Sequence, residues 1–156
     1  MSHQSLFNPP MLRDFEKFKA DFGNAEFGLW DYLNYRGDFE LAAAFCNLFW
    51  PEFIQVEGCI LLAEQAKRYN FAEWKQKLEG DRKRIEAMIN HVHVYDLFLN
   101  CSKEGINPQT YEHIGRTLLK CWSCALRETF PDRRFKLDYA TEPKEYGPTI
   151  TFFQGS

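Results

Sequence analysis

Apolar positions are concentrated in one stretch of the chain, residues 39–62. In its first half, residues 39–50, Glu40 and Asn47 are the two polar side chains. They stand seven residues apart, so a helix would place both on one narrow stripe and surround that stripe with apolar positions. The pattern predicts a buried central helix over residues 39–50.

The flanking residues indicate where this helix begins and ends. Asp38 carries a preferred N-cap side chain, and Pro51 ends or kinks a helix because it lacks a backbone N–H. The second half of the stretch, residues 53–62, supports two readings. Apolar and polar residues alternate there as in a strand, whereas a helix over residues 51–68 fits almost as well. We predict two short strands and keep the helix as the alternative.

Apolar residues at helical spacing predict further helices on both sides of this stretch. They are expected over Met11–Phe22, Glu26–Tyr35, Asn70–Leu78 and Asp81–Leu99, with a last helix that begins at Asn107-Pro108 and ends before Pro131. In the second of these, Phe27, Trp30 and Leu33 are expected to point inward. Along the last helix the expected buried stripe includes Tyr111, Leu118, Trp122 and Ala125.

The period of the pattern changes near the C-terminus. Over residues 135–139 and again over 149–153, alternate positions are apolar or aromatic, and residues 141–148 between them are rich in turn formers. This predicts a C-terminal β-hairpin. The fold class expected is therefore α+β, a single domain over residues 1–156 with about five helices around the buried central helix and a small antiparallel sheet.

Composition narrows the function classes. A net charge of -3 argues against a nucleic-acid footprint over the whole surface, and 15 Phe, 7 Tyr and 4 Trp give an aromatic share of 17%. The apolar stretch is too short and too interrupted for a membrane span, and five cysteines without a leader pattern indicate a cytoplasmic protein without a disulfide framework.

A basic run with interleaved aromatic residues is the first candidate site. It covers residues 67–84, and its candidate contact residues are Tyr69, Phe71, Trp74, Arg82 and Arg84. Cations beside aromatic rings are common at protein interfaces and on single-stranded nucleic acid, although a solvated helix face gives the same pattern.

Histidines and cysteines form the second candidate. His91 and His93 would point the same way on a strand, as pairs of metal-binding imidazoles do, but would diverge on the predicted helix. Cys121 and Cys124 form a Cys-x-x-Cys inside the last helix, two turns after His113. These five residues are the candidate metal or thiol set, and zinc is the cofactor they imply.

We expect a small cytoplasmic interaction protein without catalytic activity and without a cofactor, of the adaptor, immunity or antitoxin kind. Its partner is expected to be another protein, with a second copy of the chain as an alternative and no membrane. The competing reading is a metal- or thiol-dependent enzyme that uses the histidine and cysteine set. A third reading is a nucleic-acid binder through residues 67–84. The carboxylates of Asp138, Glu142 and Glu145 in the hairpin region are a weaker catalytic candidate.

Overall fold

The computed structural model describes residues 10–23, 26–101, 107–141 and 147–155. It confirms an α+β chain with a C-terminal hairpin: the described residues form seven α-helices, a two-stranded antiparallel sheet and a three-stranded one. The helices are α1 Arg13–Phe22, α2 Leu29–Arg36, α3 Phe39–Phe49, α4 Ala63–Arg68, α5 Phe71–Lys77, α6 Arg82–Ile89 and α7 Pro108–Thr129. The strands are β1 Phe53–Val56, β2 Cys59–Leu62, β3 Val92–His93, β4 Phe135–Ala140 and β5 Thr149–Gln154, and a short 3-10 helix covers Asp96–Phe98.

Residues 53–62 form a β-hairpin, so the strand reading of this segment is confirmed. β1 and β2 pair antiparallel from Phe53 opposite Leu62 to Val56 opposite Cys59. Glu57 and Gly58 make the two-residue turn, both with positive φ (47° and 86°). Two left-handed residues match the twist of the strands they join, and glycine adopts this conformation without a steric penalty.

Strand β2 lies between two hydrophobic clusters. All four of its side chains are buried: Ile60 and Leu62 face a large cluster built on α7 and β5, whereas Cys59 and Leu61 face a smaller one on α6. Successive strand residues point to opposite faces. A strand covered on both faces is therefore apolar without interruption, as this one is.

The helix predicted over Asp81–Leu99 is wrong in its second half. α6 ends at Ile89, and Val92 and His93 then pair antiparallel with Ile150 and Thr149 of β5. The resulting sheet has the order β3-β5-β4, which makes β3 an edge strand. Pairing with a strand almost sixty residues away supplied no local signal, so tertiary context overrode the helical spacing.

A buried pair of polar side chains on α6 joins the two sheets. Oε1 of Glu86 accepts a hydrogen bond from Ile60 N in β2, and Oε2 accepts one from Gln154 N in β5, each at 2.7 Å. One turn later, Asn90 accepts from Leu62 N at 2.9 Å and donates to the carbonyls of Ile60 and Phe152 at 2.9 and 3.2 Å. Both side chains are fully buried. Since β2 and β5 are not strand partners, α6 connects them through these side chains.

The prediction of a buried central helix is wrong for α3. Asp38 caps it as expected, with Leu41 N 2.6 Å from Asp38 Oδ1, but none of its residues is buried. The long buried helix is α7, whose predicted stripe is confirmed: Tyr111, Leu118, Trp122 and Ala125 are all buried. α3 packs one side on α7, where Trp122 Nε1 donates to the Leu48 carbonyl at 2.9 Å. The apolar composition of α3 shows that both of its sides could be buried. It does not show whether another element of the same chain covers the side that faces away from α7.

Helices α1 and α2 pack together through aromatic rings. Phe18 is buried among its neighbours, with ring centroids at 4.7–5.7 Å. These neighbours are Phe22, Phe27, Tyr32 and Tyr35. Trp30 and Leu33 were expected to point inward, but they are 87% and 54% exposed. The inward face of α2 is thus rotated away from the predicted one.

Candidate functional site

The aromatic members of the predicted contact surface belong in part to the smaller hydrophobic cluster. Tyr69, Phe71 and Trp74 are half-buried and pack against it, whereas Arg82 and Arg84 are exposed. Several cations of residues 67–84 have acidic partners nearby: Lys67 pairs with Glu64, Lys75 with Glu57 and Lys77 with Glu73. Such exposed pairs are weak, yet they leave less net positive charge for a phosphate backbone.

The structure brings His91 and His93 together. Their Nε2 atoms lie 3.3 Å apart, and their ring planes are nearly perpendicular at 85°. His91 Nδ1 lies 2.7 Å from Thr151 Oγ1 on β5. The strand over Val92–His93 causes this arrangement, because residues two apart in a strand share a face. The two imidazoles are thus close together because this segment is extended. In the helix that the spacing predicted, they would have diverged.

The remaining histidine and cysteines of the candidate set lie on α7. Cys121, Cys124 and His113 are half-buried there. Burial, and secondarily the neighbouring Cys124, raises the pKa of the Cys121 thiol. A raised pKa lowers the thiolate fraction that redox or metal chemistry requires. Among the described residues, no three histidine, cysteine, aspartate or glutamate side chains gather closely enough to hold a metal ion.

The acidic hairpin candidate lies mostly outside the described residues. Residues 142–146, with Glu142 and Glu145, are among those the structure does not describe. Asp138 is exposed on β4, and its carboxylate pairs with Lys136 at 3.1 Å.

A cleft of about 510 Å³ opens where α3, α4 and α7 meet. Its apolar lining includes Leu48, Leu62 and Trp122, and its polar lining includes Glu52, Glu64, Gln65 and Arg68. Apolar walls with a few polar groups are typical of sites that accept one side chain or a small ligand. Neither member of the His91 and His93 pair lines this cleft, although Val92 between them does.

The surface that sequence reasoning missed is the second side of α3. Phe45, Leu48 and Phe49 pack toward the large cluster. Phe39, Ala43 and Cys46 follow one another at spacings of four and three residues, so they share another side of the helix, and Trp50 directly follows the helix four residues after Cys46. All four are exposed, Phe39 to 92% and Trp50 to 49%. We call these four residues the open α3 face.

The spacing of these four residues was visible in the sequence. Apolar periodicity indicates a helix that can be covered on this side, but it does not distinguish coverage by the protein's own core from coverage by a partner protein. Monomeric proteins rarely leave contiguous apolar patches uncovered, and such patches mark interaction sites.

The surroundings of the open α3 face are acidic. Residues 26–66 carry seven acidic and one basic side chain, and two of the acidic ones, Glu57 and Glu64, pair with Lys75 and Lys67 outside this range. Asp31, Asp38 and Glu40 among them are exposed on or beside α2 and α3. Because Asp38 and Glu40 flank Phe39 in the chain, exposed carboxylates form an acidic rim at the N-terminal end of the open α3 face.

Comparisons with protein-family models, with curated proteins and with solved structures each gave no match. No helix within the described ranges combines the length and the apolarity that crossing a membrane requires.

Proposed function

We propose that this protein is a cytoplasmic protein-interaction module without catalytic activity, and that its partner docks on the open α3 face. The observation that carries the proposal is the exposure of Phe39, Ala43, Cys46 and Trp50 along one side of a helix whose other side is packed. All five cysteines are free thiols, which suits a reducing compartment.

The chemistry of this face favours a protein partner. Aromatic side chains, tryptophan above all, are typical of the residues that contribute most to interface stability. Trp30 on α2, 87% exposed, adds a further large aromatic side chain close to α3 in the chain. The cleft beside α3 supplies an apolar recess for an anchoring side chain of the partner.

Charge selects the kind of partner. A helix with an apolar stripe flanked by Lys and Arg complements an apolar face with an acidic rim, and it would associate faster at low salt. A two-fold symmetric dimer through the same face would place each acidic rim against its copy, because such an interface pairs the same patch with itself. We therefore propose a different, basic protein in preference to a second copy of this chain.

Capture of partners from a lysate of the source cells tests this proposal with three forms of the protein. The bait is wild type, Phe39→Glu, or the control Leu99→Glu, which places the same charge at an exposed apolar residue outside α3. We expect a protein with a basic amphipathic helix to be retained by wild type and control, lost with Phe39→Glu, and weakened by salt.

Two results would contradict the proposal. Retention of the same proteins by Phe39→Glu would remove the open α3 face as the docking site. A concentration-dependent dimer of the pure protein in light scattering, abolished by Phe39→Glu, would show that the face binds a second copy instead.

A further inference from the structure

Two imidazoles lie side by side at the edge strand β3, His93 within the strand and His91 directly before it. The ring centroids of His91 and His93 are 4.8 Å apart, the rings meet edge to face, and both side chains are half-buried. Their Nε2 atoms approach to 3.3 Å. At this separation one imidazole can donate a long hydrogen bond to the other, and the tautomers decide which ring is the donor.

We propose that His91 and His93 form a binding site for one Zn²⁺ ion. In a tetrahedral zinc site with Zn–N bonds of about 2.0–2.1 Å, two nitrogen ligands lie about 3.3–3.4 Å apart. The observed 3.3 Å between the two Nε2 atoms matches that separation. A square-planar ion with bonds of similar length would instead need neighbouring nitrogens about 2.8–3.0 Å apart, which disfavours Cu²⁺ or Ni²⁺ in that geometry.

Neighbouring groups orient the first imidazole for this role. His91 Nδ1 lies 2.7 Å from Thr151 Oγ1; in the Nδ1–H tautomer the ring donates to the threonine, and Nε2 is then the metal-binding atom. Gln65 Nε2 donates to the His91 carbonyl at 3.4 Å and so contacts its backbone as well. Thr151 belongs to the central strand of the three-stranded sheet, which makes the arrangement rigid before metal arrives.

His91 and His93 supply two ligands, and water or further groups of the chain would fill the remaining positions of the tetrahedron. Among the residues that the structure describes, no third histidine, cysteine or carboxylate joins the pair. Structural zinc sites have four protein ligands and catalytic ones three.

Zinc titration of the untagged protein tests the site, with a competing chromophoric chelator reporting affinity and Co²⁺ absorption reporting tetrahedral geometry. The variants are His91→Gln, His93→Gln and the control His113→Gln on α7. We expect one Zn²⁺ per chain, binding at least tenfold weaker in either of the first two variants, and unchanged binding in the control.

A measurement on the wild-type protein keeps the test valid if a variant fails to fold. Saturating Zn²⁺ should shift the ring NMR signals of His91 and His93 and leave those of His113 in place. Absence of stoichiometric binding, unmoved His91 and His93 signals, or wild-type affinity in a folded His93→Gln variant would each overturn the proposal.

Discussion

Substitution of Glu86 tests whether its buried carboxylate connects β2 and β5 through α6. Its carboxylate is fully buried, and it accepts hydrogen bonds from Ile60 N and Gln154 N and from the Gln154 side-chain amide. In Glu86→Ala the two backbone N–H groups lose their acceptor. A buried donor without a partner costs about 1–3 kcal/mol, so we expect the free energy of unfolding to fall by about 2–6 kcal/mol.

Glu86→Gln keeps the shape of the side chain but removes its negative charge and one of its two acceptor oxygens. Glutamine keeps one acceptor oxygen, but its NH₂ group faces a backbone donor, so one N–H group is left without a partner. We expect a loss of about 1–3 kcal/mol, between alanine and wild type. Glu64→Gln serves as the control, because Glu64 is exposed and pairs with Lys67 at the surface. The control should change stability by less than about 1 kcal/mol.

Urea unfolding followed by circular dichroism gives these free energies, and amide hydrogen exchange locates the effect. In Glu86→Gln the amides of Ile60 and Gln154 should lose protection before those at the centre of α7. A Glu86→Gln variant as stable as wild type, with unchanged exchange at Ile60 and Gln154, would refute the role assigned to this carboxylate.

Two further predictions concern buried groups. Burial, and secondarily the charge of Glu86, raises the pKa of the Cys59 thiol from 9.0 to about 11. Between these values the unfolded chain loses the thiol proton while the folded protein keeps it, so stability should fall as pH rises through this window, by roughly 2–3 kcal/mol from this group. Urea titrations of wild type and Cys59→Ala should show a shallower decline in the variant, and equal slopes would contradict the assignment. Trp122→Phe removes the N–H that bonds the Leu48 carbonyl, and should lower the unfolding free energy by about 1–3 kcal/mol in the same assay, whereas Trp30→Phe at an exposed position should change it by less than about 0.5 kcal/mol. Similar losses for both tryptophans would argue against the α3–α7 contact.

Local signals in the sequence predicted where several helices begin. Asp38, Asn70, Asp81 and Asn107 each accept a hydrogen bond from a backbone N–H in the first turn of the helix that follows, as preferred N-cap residues do. The change of period from helical to alternating predicted the C-terminal hairpin, and the spacing along α7 predicted its buried stripe. These features depend on neighbours in the chain.

Features that depend on distant contacts were not predictable in the same way. Asn90 ends α6 with its side chain turned to the backbones of β2 and β5, and Val92 pairs with Ile150, so the chain leaves the helix despite favourable spacing. For the same reason the spacing predicted a helix at His91 and His93, where the structure has the end of α6 followed by strand β3. The prediction for α3 was wrong for another reason. Its sequence specifies two apolar sides, but it does not specify what covers the side that faces away from α7.

The central claim is that a partner protein covers the open α3 face, and alkylation of Cys46 measures this most directly. Cys46 and Cys101 are both exposed thiols, and Cys46 lies within the face whereas Cys101 lies outside it. Mass spectrometry would follow the alkylation of both cysteines in buffer and in an extract of the source cells. The account predicts that the extract slows Cys46 by at least tenfold but not Cys101, and that Phe39→Glu abolishes the protection. Equal rates for Cys46 in buffer and extract would contradict it.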